Sequence, residues 1–391
     1  MQFDLNTLLK KKGYQNKPLS FEEAYLLGVF SLVPYLPELQ YIIDLPTERL
    51  IIQSIAGLCT FHNHSLYEKE NSGEQIAGIC AAIFDYDINS ASNGFLTPSK
   101  DVIDNCGMGG DLCRTPNLST IAALIAAAGE IPMLKHGSPG NTDNVGSSDF
   151  LEYCGVYLFP EKTTILGGID KYNFAYIDAL DENYKRIHLL SHGKAKLAHM
   201  NDIIGPITHP INPTFLRKKV LGVNHLVPPQ RVAEAYCLLN EYGIINLDHG
   251  LFIRGYNTPD RSDGIDEASI TAGGTKVVEL ERGKIESYHL FARDFGLEEI
   301  DVKELSPGIN KAETSRKILT GEITDGKKDA ALANASLLIY LANATSLKKG
   351  TSLAREILES KRPSEILMHY ASDTIKDKRS YNCNITEDGG K

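Results

Sequence analysis

The sequence predicts an α/β fold in which a small N-terminal helical domain precedes a larger α/β domain with a mostly parallel central sheet. Two observations predict this class. Residues 1 to about 90 place apolar side chains at three- and four-residue spacing, which is typical of helices. From Asp101 onward, apolar runs alternate with helical patterns, which is typical of parallel strands covered on both faces. We therefore expect domains over residues 1–97 and 98–391.

Composition excludes several classes of protein. Of 391 residues, 42% are hydrophobic and 23% are charged, so the chain is neither disordered nor fibrous. The net charge is −10 and the basic run Lys10–Lys12 is short, so we expect no nucleic-acid partner. The seven cysteines lack CxxC spacing, which counts against disulfides and zinc. Without a signal-peptide pattern or an apolar run of about 18 residues, we expect a cytoplasmic protein without a membrane segment.

Four helices are predicted in the N-terminal domain. Ser20 stands before Glu22 and Glu23, which is a favourable start for one of them. The predicted helices span Leu5–Lys12, Phe21–Leu32, Glu48–Cys59 and Gly73–Phe84. The Ser- and Asn-rich segment 89–93 then predicts a linker.

A glycine-rich loop follows the first predicted strand, which begins at Val102. The loop runs Gly107-Met108-Gly109-Gly110-Asp111, and Asn117-Leu118-Ser119-Thr120 precedes an apolar helix over Ile121–Ala128. Glycines let backbone N–H groups converge on an anion, and the first turn of the following helix adds unpaired amides. The loop is therefore suited to phosphate. A tight strand-to-helix turn capped by Ser119 is the alternative that the residues leave open.

The next predicted strand brings a cation to the same edge of the sheet. Ile131–Leu134 is the strand, and Lys135-His136-Gly137 stands at its carboxyl end, where α/β sheets bind ligands. Further strands are expected at Tyr157–Phe159, Phe174–Ile177, Val220–Val223 and Ile244–Leu247. Helices are expected over Pro229–Tyr242 and Ala330–Ala344, and a loose polar tail after Pro363.

These motifs, in this order and spacing, resemble the nucleoside phosphorylase and phosphoribosyltransferase family, most closely its anthranilate phosphoribosyltransferase branch. That branch carries G-T-G-G-D, N-I-S-T, K-H-G-N-R and G-S-x-D-L-L-E, and the last corresponds here to 146–152, GSSDFLE. The resemblance implies that about 182–205 returns to the helical domain, that the active site lies in the cleft between the domains, and that the protein is a homodimer.

Asp266 and Glu267 end a D-G-I-D-E segment that resembles the family's D-G-L-D-E, whose last two carboxylates hold magnesium. Adjacent carboxylates usually mark a solvated loop, which is the alternative. Mg²⁺ typically takes one or two carboxylates together with waters and substrate phosphates, so the pair suits it. The resemblance implies Mg²⁺ held by Ser119, Asp266 and Glu267 in an exposed cleft.

The implied reaction is displacement of pyrophosphate from C1 of phosphoribosyl pyrophosphate by a small acceptor. Lys135, Asp266 and Glu267 are the expected catalytic residues, since they stabilise charge on the leaving group. Ser119 and Thr120 are interpreted as phosphate or metal contacts and not as nucleophiles. The residues implied to bind phosphoribosyl pyrophosphate are Gly107, Gly109, Gly110, Asp111, Thr115, Asn117, Ser119, Thr120, Lys135, His136, Gly137 and Ser147.

Three departures from the family fall on the acceptor side. Ser138 replaces the asparagine of H-G-N-R, and no arginine stands in Ser191–Lys194, where His192 is the nearest substitute. A segment over Leu251–Ser262, with Arg254 and Arg261, is interpreted as an insertion that forms a lid or surface decoration. We therefore expect a phosphoribosyltransferase whose acceptor is not anthranilate. The alternatives are a divergent anthranilate enzyme, a nucleoside phosphorylase and a non-catalytic nucleic-acid-binding relative.

Overall fold

The computed structural model describes residues 5–15, 17–33, 36, 72–110, 113–140, 145–190 and 201–388. A seven-stranded sheet forms its centre, in the order β3-β2-β1-β4-β5-β6-β7. The first five strands are parallel and the last two are antiparallel, which confirms the predicted fold class. The strands are β1 (Val102–Gly107), β2 (Met133–Gly137), β3 (Phe174–Asp178), β4 (Leu216–Gly222), β5 (His249–Gly255), β6 (Thr275–Glu281) and β7 (Lys284–Leu290).

The described part of the chain contains twelve α-helices. They are α1 (Leu5–Leu9), α2 (Phe21–Leu32), α3 (Ser72–Ala82), α4 (Leu118–Ala128), α5 (Ser147–Tyr153), α6 (Lys162–Tyr172), α7 (Asn201–Ile207), α8 (Pro229–Glu241), α9 (Lys311–Leu319), α10 (Gly326–Asn343), α11 (Leu347–Glu359) and α12 (Arg362–Asp388).

The N-terminal helices pack closely because small residues face each other. Ser20 caps α2 by accepting the Glu23 N–H, and the Glu23 carboxylate completes a capping box by accepting the Ser20 N–H. A Cβ at Gly28 would lie 2.7 Å from the Ala82 Cβ, and one at Gly78 would overlap the Phe21 carbonyl. Glycine is therefore required for this crossing of α2 and α3. The predicted helix Glu48–Cys59 lies outside the described residues.

The segment after β3 connects the sheet to the helical part. Asp87, at the end of the helical segment, is buried and accepts hydrogen bonds from the backbone N–H groups of Arg186 and Ile187. The Arg186 guanidinium pairs with the same carboxylate at 3.1 Å. Helix α7 then packs against α3. The division into domains at residue 97 stays a prediction.

Three sequence-based predictions were wrong. Tyr157–Phe159 and residues 244–247 form irregular connections instead of strands. The segment after Pro363 is not a loose tail, because it forms α12, whose Tyr370 is buried against β3 and accepts the Tyr176 N–H at 3.1 Å. The two strands β6 and β7 were missed. They form a hairpin in which Arg282 and Gly283 both have positive φ, as a two-residue turn of this kind requires.

No single helix in the described ranges is both long and apolar enough to cross a membrane. Helices α10 and α11 pass such a test only when they are taken together, although they meet at a bend of 113°. Helix α10 is mostly buried in the core of the sheet domain.

Candidate active site

The glycine loop at the end of β1 lies directly against the acidic pair. A Cβ at Gly107 would overlap the Asp266 carboxylate, and a Cβ at Gly222, at the end of β4, would overlap the Asp266 backbone. Gly109 and Gly110 have φ of +70° and +78°, which side chains rarely tolerate. The two strands can therefore enclose Asp266 only because each ends in glycine.

Asp266 and Glu267 are tied to the loop and to the start of α4. The Asp266 carboxylate accepts the Gly109 N–H at 2.6 Å. Glu267 accepts the Thr115 hydroxyl at 2.8 Å and the Ser119 N–H at 3.3 Å. The residues are only 9% and 6% exposed, so the expectation of an exposed carboxylate pair was wrong. The chain places them in the enclosed space between β1, β4 and α4.

Burial changes the proton affinity of Glu267. Loss of hydration, and then repulsion from Asp266, raise the pKa of Glu267 from 4.5 to about 7. Lys311, at the start of α9, opposes this shift through its positive charge. A cation bound between the two carboxylates would also lower the pKa of Glu267, as Lys311 does, because it favours the ionised form.

Lys135, on β2, places its ammonium group near the start of α4, beside the acidic pair. It is fully buried, and its Nζ donates to the Asn105 carbonyl at 2.7 Å and lies 3.5 Å from the Ser119 hydroxyl. Burial lowers the pKa of Lys135. The two elements that the sequence predicted to seek anions therefore meet at one edge of the sheet.

The other motif residues at this edge of the sheet form hydrogen bonds and close contacts with one another. Thr120 donates to the Ser147 hydroxyl at 3.2 Å, and a Cβ at Gly137 would press against Ser147. The Asn117 side chain donates to the Gly146 carbonyl at 3.0 Å and accepts from Ser315. The structure thus places Asn117 as a support between α4, α5 and α9.

His136 belongs to a buried charge network on the opposite face of the sheet. Its ring nitrogens lie 3.0 Å from the Asp104 carboxylate and 3.2 Å from the Gly205 carbonyl. Lys219 forms an ion pair with the same carboxylate. Burial alone would raise the pKa of Asp104, but Lys219 and His136 hold it well below its usual range. Both ring nitrogens of His136 are therefore engaged by the protein. Asp104, Cys106 and His136 also place ligand atoms within 4.8 Å of one another, but the Asp104 carboxylate is already neutralised by Lys219.

The two residues predicted for the acceptor side, Ser138 and His192, stay predictions. The Ser138 carbonyl accepts the Ser148 N–H at 3.3 Å, which fixes the backbone ahead of α5. His192, like Asp111 in the glycine loop, lies outside the described residues.

The lid interpretation of Leu251–Ser262 was wrong for its first half. Residues 251–255 belong to β5, a buried strand paired with β4, so only the connection after Gly255 is a loop. Arg254 does not face an anion, because its guanidinium donates to the carbonyls of Val223, Asn224 and Val227. Arg261 is exposed and lies 5.8 Å from the Tyr256 ring.

Sequence reasoning missed several residues near this site. Asn105 anchors the start of α4 by donating to the Ser119 carbonyl at 2.8 Å. Ser315, on α9, hydrogen-bonds with Asn117, which stands 198 residues earlier in the chain. Lys311, at the start of the same helix, acts on Glu267 through its charge. No motif in the sequence indicates either residue. Asn224 follows β4 and faces the glycine loop. The predicted strand Val220–Val223, which ends one residue earlier, was the only sequence signal near it.

Comparison with known proteins gives consistent matches. Residues 99–361 match the family model described as "Glycosyl transferase family, a/b domain". An anthranilate phosphoribosyltransferase of Chlorobium phaeobacteroides is 32% identical over 302 residues, which cover 75% of this chain and 81% of that protein. The solved anthranilate phosphoribosyltransferase of Thermus thermophilus has a TM-score of 0.72 at 26% identity and covers 93% of this chain and 98% of its own. The Saccharomyces cerevisiae enzyme, solved in complex with PRPP and Mg, has a TM-score of 0.74 at 21% identity, with 95% and 98% covered, and shows likeness of fold.

Proposed function

Because the chain belongs to the glycosyl transferase family and is a phosphoribosyltransferase, we propose that it transfers the phosphoribosyl group of phosphoribosyl pyrophosphate (PRPP) to anthranilate. The observation that carries the proposal is the meeting of Gly109, Ser119, Lys135 and the pair Asp266–Glu267 at one edge of the sheet. Anthranilate is proposed because the matched relatives are named for that acceptor.

The donor set suits Mg²⁺, which we propose as the metal. Asp266 and Glu267 offer carboxylate oxygens, and the hydroxyl of Ser119 is close to the same place. These are hard oxygen ligands of the kind that Mg²⁺ prefers, and a bound cation would favour the ionised form of Glu267, whose pKa burial raises. When bound, Mg²⁺ would neutralise charge on the pyrophosphate leaving group. The Saccharomyces cerevisiae anthranilate phosphoribosyltransferase was solved in complex with PRPP and Mg.

The protein residues have distinct proposed roles in the transfer. The C1–O bond of PRPP breaks and the electron pair leaves with pyrophosphate, while the amino nitrogen of the acceptor forms the new C1–N bond and then loses a proton. Amides of the glycine loop and the ammonium of Lys135 hold the negative charge that develops on the leaving oxygens. Since the stabilising groups are fixed before the reaction, they require little rearrangement.

A different acceptor is the second candidate, and it is the one that the sequence predicted. Ser138 is shorter than the asparagine of the family motif, and Arg254 is engaged by three carbonyls and so does not hold a carboxylate. A buried carboxylate without a paired cation is strongly unfavourable. The comparisons give this alternative no support. A homodimer and the absence of a nucleic-acid partner stay predictions.

The deciding experiment follows anthranilate fluorescence with purified protein, PRPP and Mg²⁺. Loss of fluorescence at roughly 1–10 turnovers per second, the range of ordinary biosynthetic enzymes, supports anthranilate as the acceptor. Calorimetric binding of PRPP without turnover of anthranilate would favour the second candidate. No PRPP binding in the presence of Mg²⁺ would overturn the proposed function. The Asp266→Asn, Glu267→Gln double variant is the control that lacks both carboxylates.

A further inference from the structure

Asn224 is held rigidly in the turn after β4. It is 1% exposed, and its Oδ1 accepts the Leu226 N–H at 3.0 Å. Its carbonyl accepts a hydrogen bond from Arg254, which also donates to Val223 and Val227. Arg254 therefore acts as a clamp on this turn, and Asn224 has little freedom to reorient.

The orientation of the Asn224 amide follows from these bonds. If the amide were flipped, Nδ2 would face the Leu226 N–H, and two donors would meet. Oδ1 is thus on the Leu226 side, and Nδ2 points away from it. Among the described residues Nδ2 has no hydrogen-bond partner. A buried donor without a partner is costly, so it calls for an explanation.

Nδ2 is directed at the glycine loop. It lies 4.0 Å from the position that a Cβ would take at Gly110, and among the described residues outside the loop no other atom is so near to that position. Gly109 and Gly110 both have positive φ, and the corresponding position at Gly109 has no atom of the described part of the chain within 4 Å beyond its own neighbours. Successive backbone amides in such a turn form an anion-binding concavity. The unpaired Nδ2 and the loop therefore face the same space.

We propose that Asn224 binds the diphosphate group of PRPP by donating Nδ2 to a phosphoryl oxygen held over Gly109–Gly110. The proposal rests on the proposed function and adds a residue to it. The ligand needs an anionic oxygen acceptor, which diphosphate supplies next to the loop amides. The preformed turn keeps the donor in place before the ligand arrives, so binding does not have to order it.

Asn224→Asp tests the proposal with little change of shape. The aspartate keeps an oxygen for the Leu226 N–H but replaces the donor by a negatively charged oxygen. Asn224→Ser is the neutral second variant, since its hydroxyl can still accept from Leu226 while it is too short to reach the loop. The matched control is Asn212→Asp, because Asn212 makes the same kind of turn at the opposite end of β4, accepting the Thr214 N–H at 3.0 Å.

Binding of PRPP and of inorganic pyrophosphate is measured by calorimetry with Mg²⁺, together with binding of anthranilate and thermal unfolding. We expect Asn224→Asp and Asn224→Ser to bind PRPP and pyrophosphate at least tenfold more weakly than the parent and to bind anthranilate unchanged. Their unfolding temperatures should be close to that of the parent. Asn212→Asp should bind like the parent. Parent-like pyrophosphate affinity in both Asn224 variants, or a loss confined to anthranilate, would overturn the assignment of Asn224 alone. A parent protein that binds no PRPP would instead refute the proposed function.

Discussion

Replacing Glu267 by glutamine should make the protein more stable above neutral pH while it removes activity. The pKa of Glu267 is raised from 4.5 to about 7, first by burial and then by Asp266. At about 1.4 kcal/mol for each tenfold change in proton affinity, ionising this residue costs the folded state up to about 3 kcal/mol. Glutamine carries no charge and avoids that cost.

The pH dependence has a defined sign. Below pH 4.5, Glu267 is protonated in both states and contributes no difference. Between pH 4.5 and about 7 the unfolded chain has released the proton while the folded chain retains it, so stability falls as pH rises. Above pH 7 the loss is complete. Glutamine should keep the bond from the Ser119 N–H through its oxygen, and the Thr115 hydroxyl can turn to accept from its amide.

Urea unfolding of the parent and Glu267→Gln between pH 5 and pH 8.5, with a chelator present, measures this difference. We expect the variant to gain stability relative to the parent as pH rises, reaching about 3 kcal/mol at pH 8. Its kcat/KM in the Mg²⁺ assay should fall roughly a hundredfold or more. The exposed Glu298→Gln is the control and should track the parent. A difference that stays flat from pH 5 to pH 8 would refute the description of Glu267 as a buried, raised-pKa carboxyl.

Two further substitutions test the geometry of the site. Gly107→Ala should abolish transfer and lose the more stability of the two glycine variants, because its Cβ would displace Asp266. At Gly109 a Cβ meets no described atom within 4 Å, so Gly109→Ala should cost only roughly 1–2 kcal/mol of stability from its positive φ. Equal losses of stability in chemical denaturation would contradict this contrast. Lys135→Met should weaken PRPP binding in calorimetry, and because Lys135 is buried and poorly screened the loss should persist at high salt; a loss that vanishes with salt would place its charge in solvent.

The sequence was most informative where chemistry depends on short segments. The loop at 107–110 and Lys135 could be placed at one edge of the sheet, because parallel strands bring their carboxyl ends together. The pair Asp266–Glu267 was joined to them only through the family resemblance. The structure adds their burial. That property depends on α4 and α9 covering the edge, and no local pattern in the sequence describes it.

The errors arise from interactions between distant segments. The first residues of the supposed insertion, 251–255, were assigned to a lid because the sequence predicted the strand at Ile244–Leu247. The strand that pairs with β4 begins only at His249 and includes them. Helix α12 was missed because its polar residues dominate the composition, while Leu367, Tyr370 and Ala371 pack inward. The hydrogen bonds of Arg254 to three backbone carbonyls could not be predicted either, since every residue has a carbonyl and the sequence does not mark which ones accept.

The contact between Tyr370 and β3 has a consequence for how the chain is made. Strand β3 is one edge of the sheet, and an uncovered edge offers backbone groups to strands of other molecules. The Tyr370 hydroxyl accepts one of these groups, the Tyr176 N–H, and α12 lies over the strand. Because the N-terminal parts of a chain emerge first during synthesis, β3 is present long before the helix that covers it. The nascent chain therefore spends the interval between residues 178 and 370 with this edge open, and a protein that ends before α12 should aggregate through it.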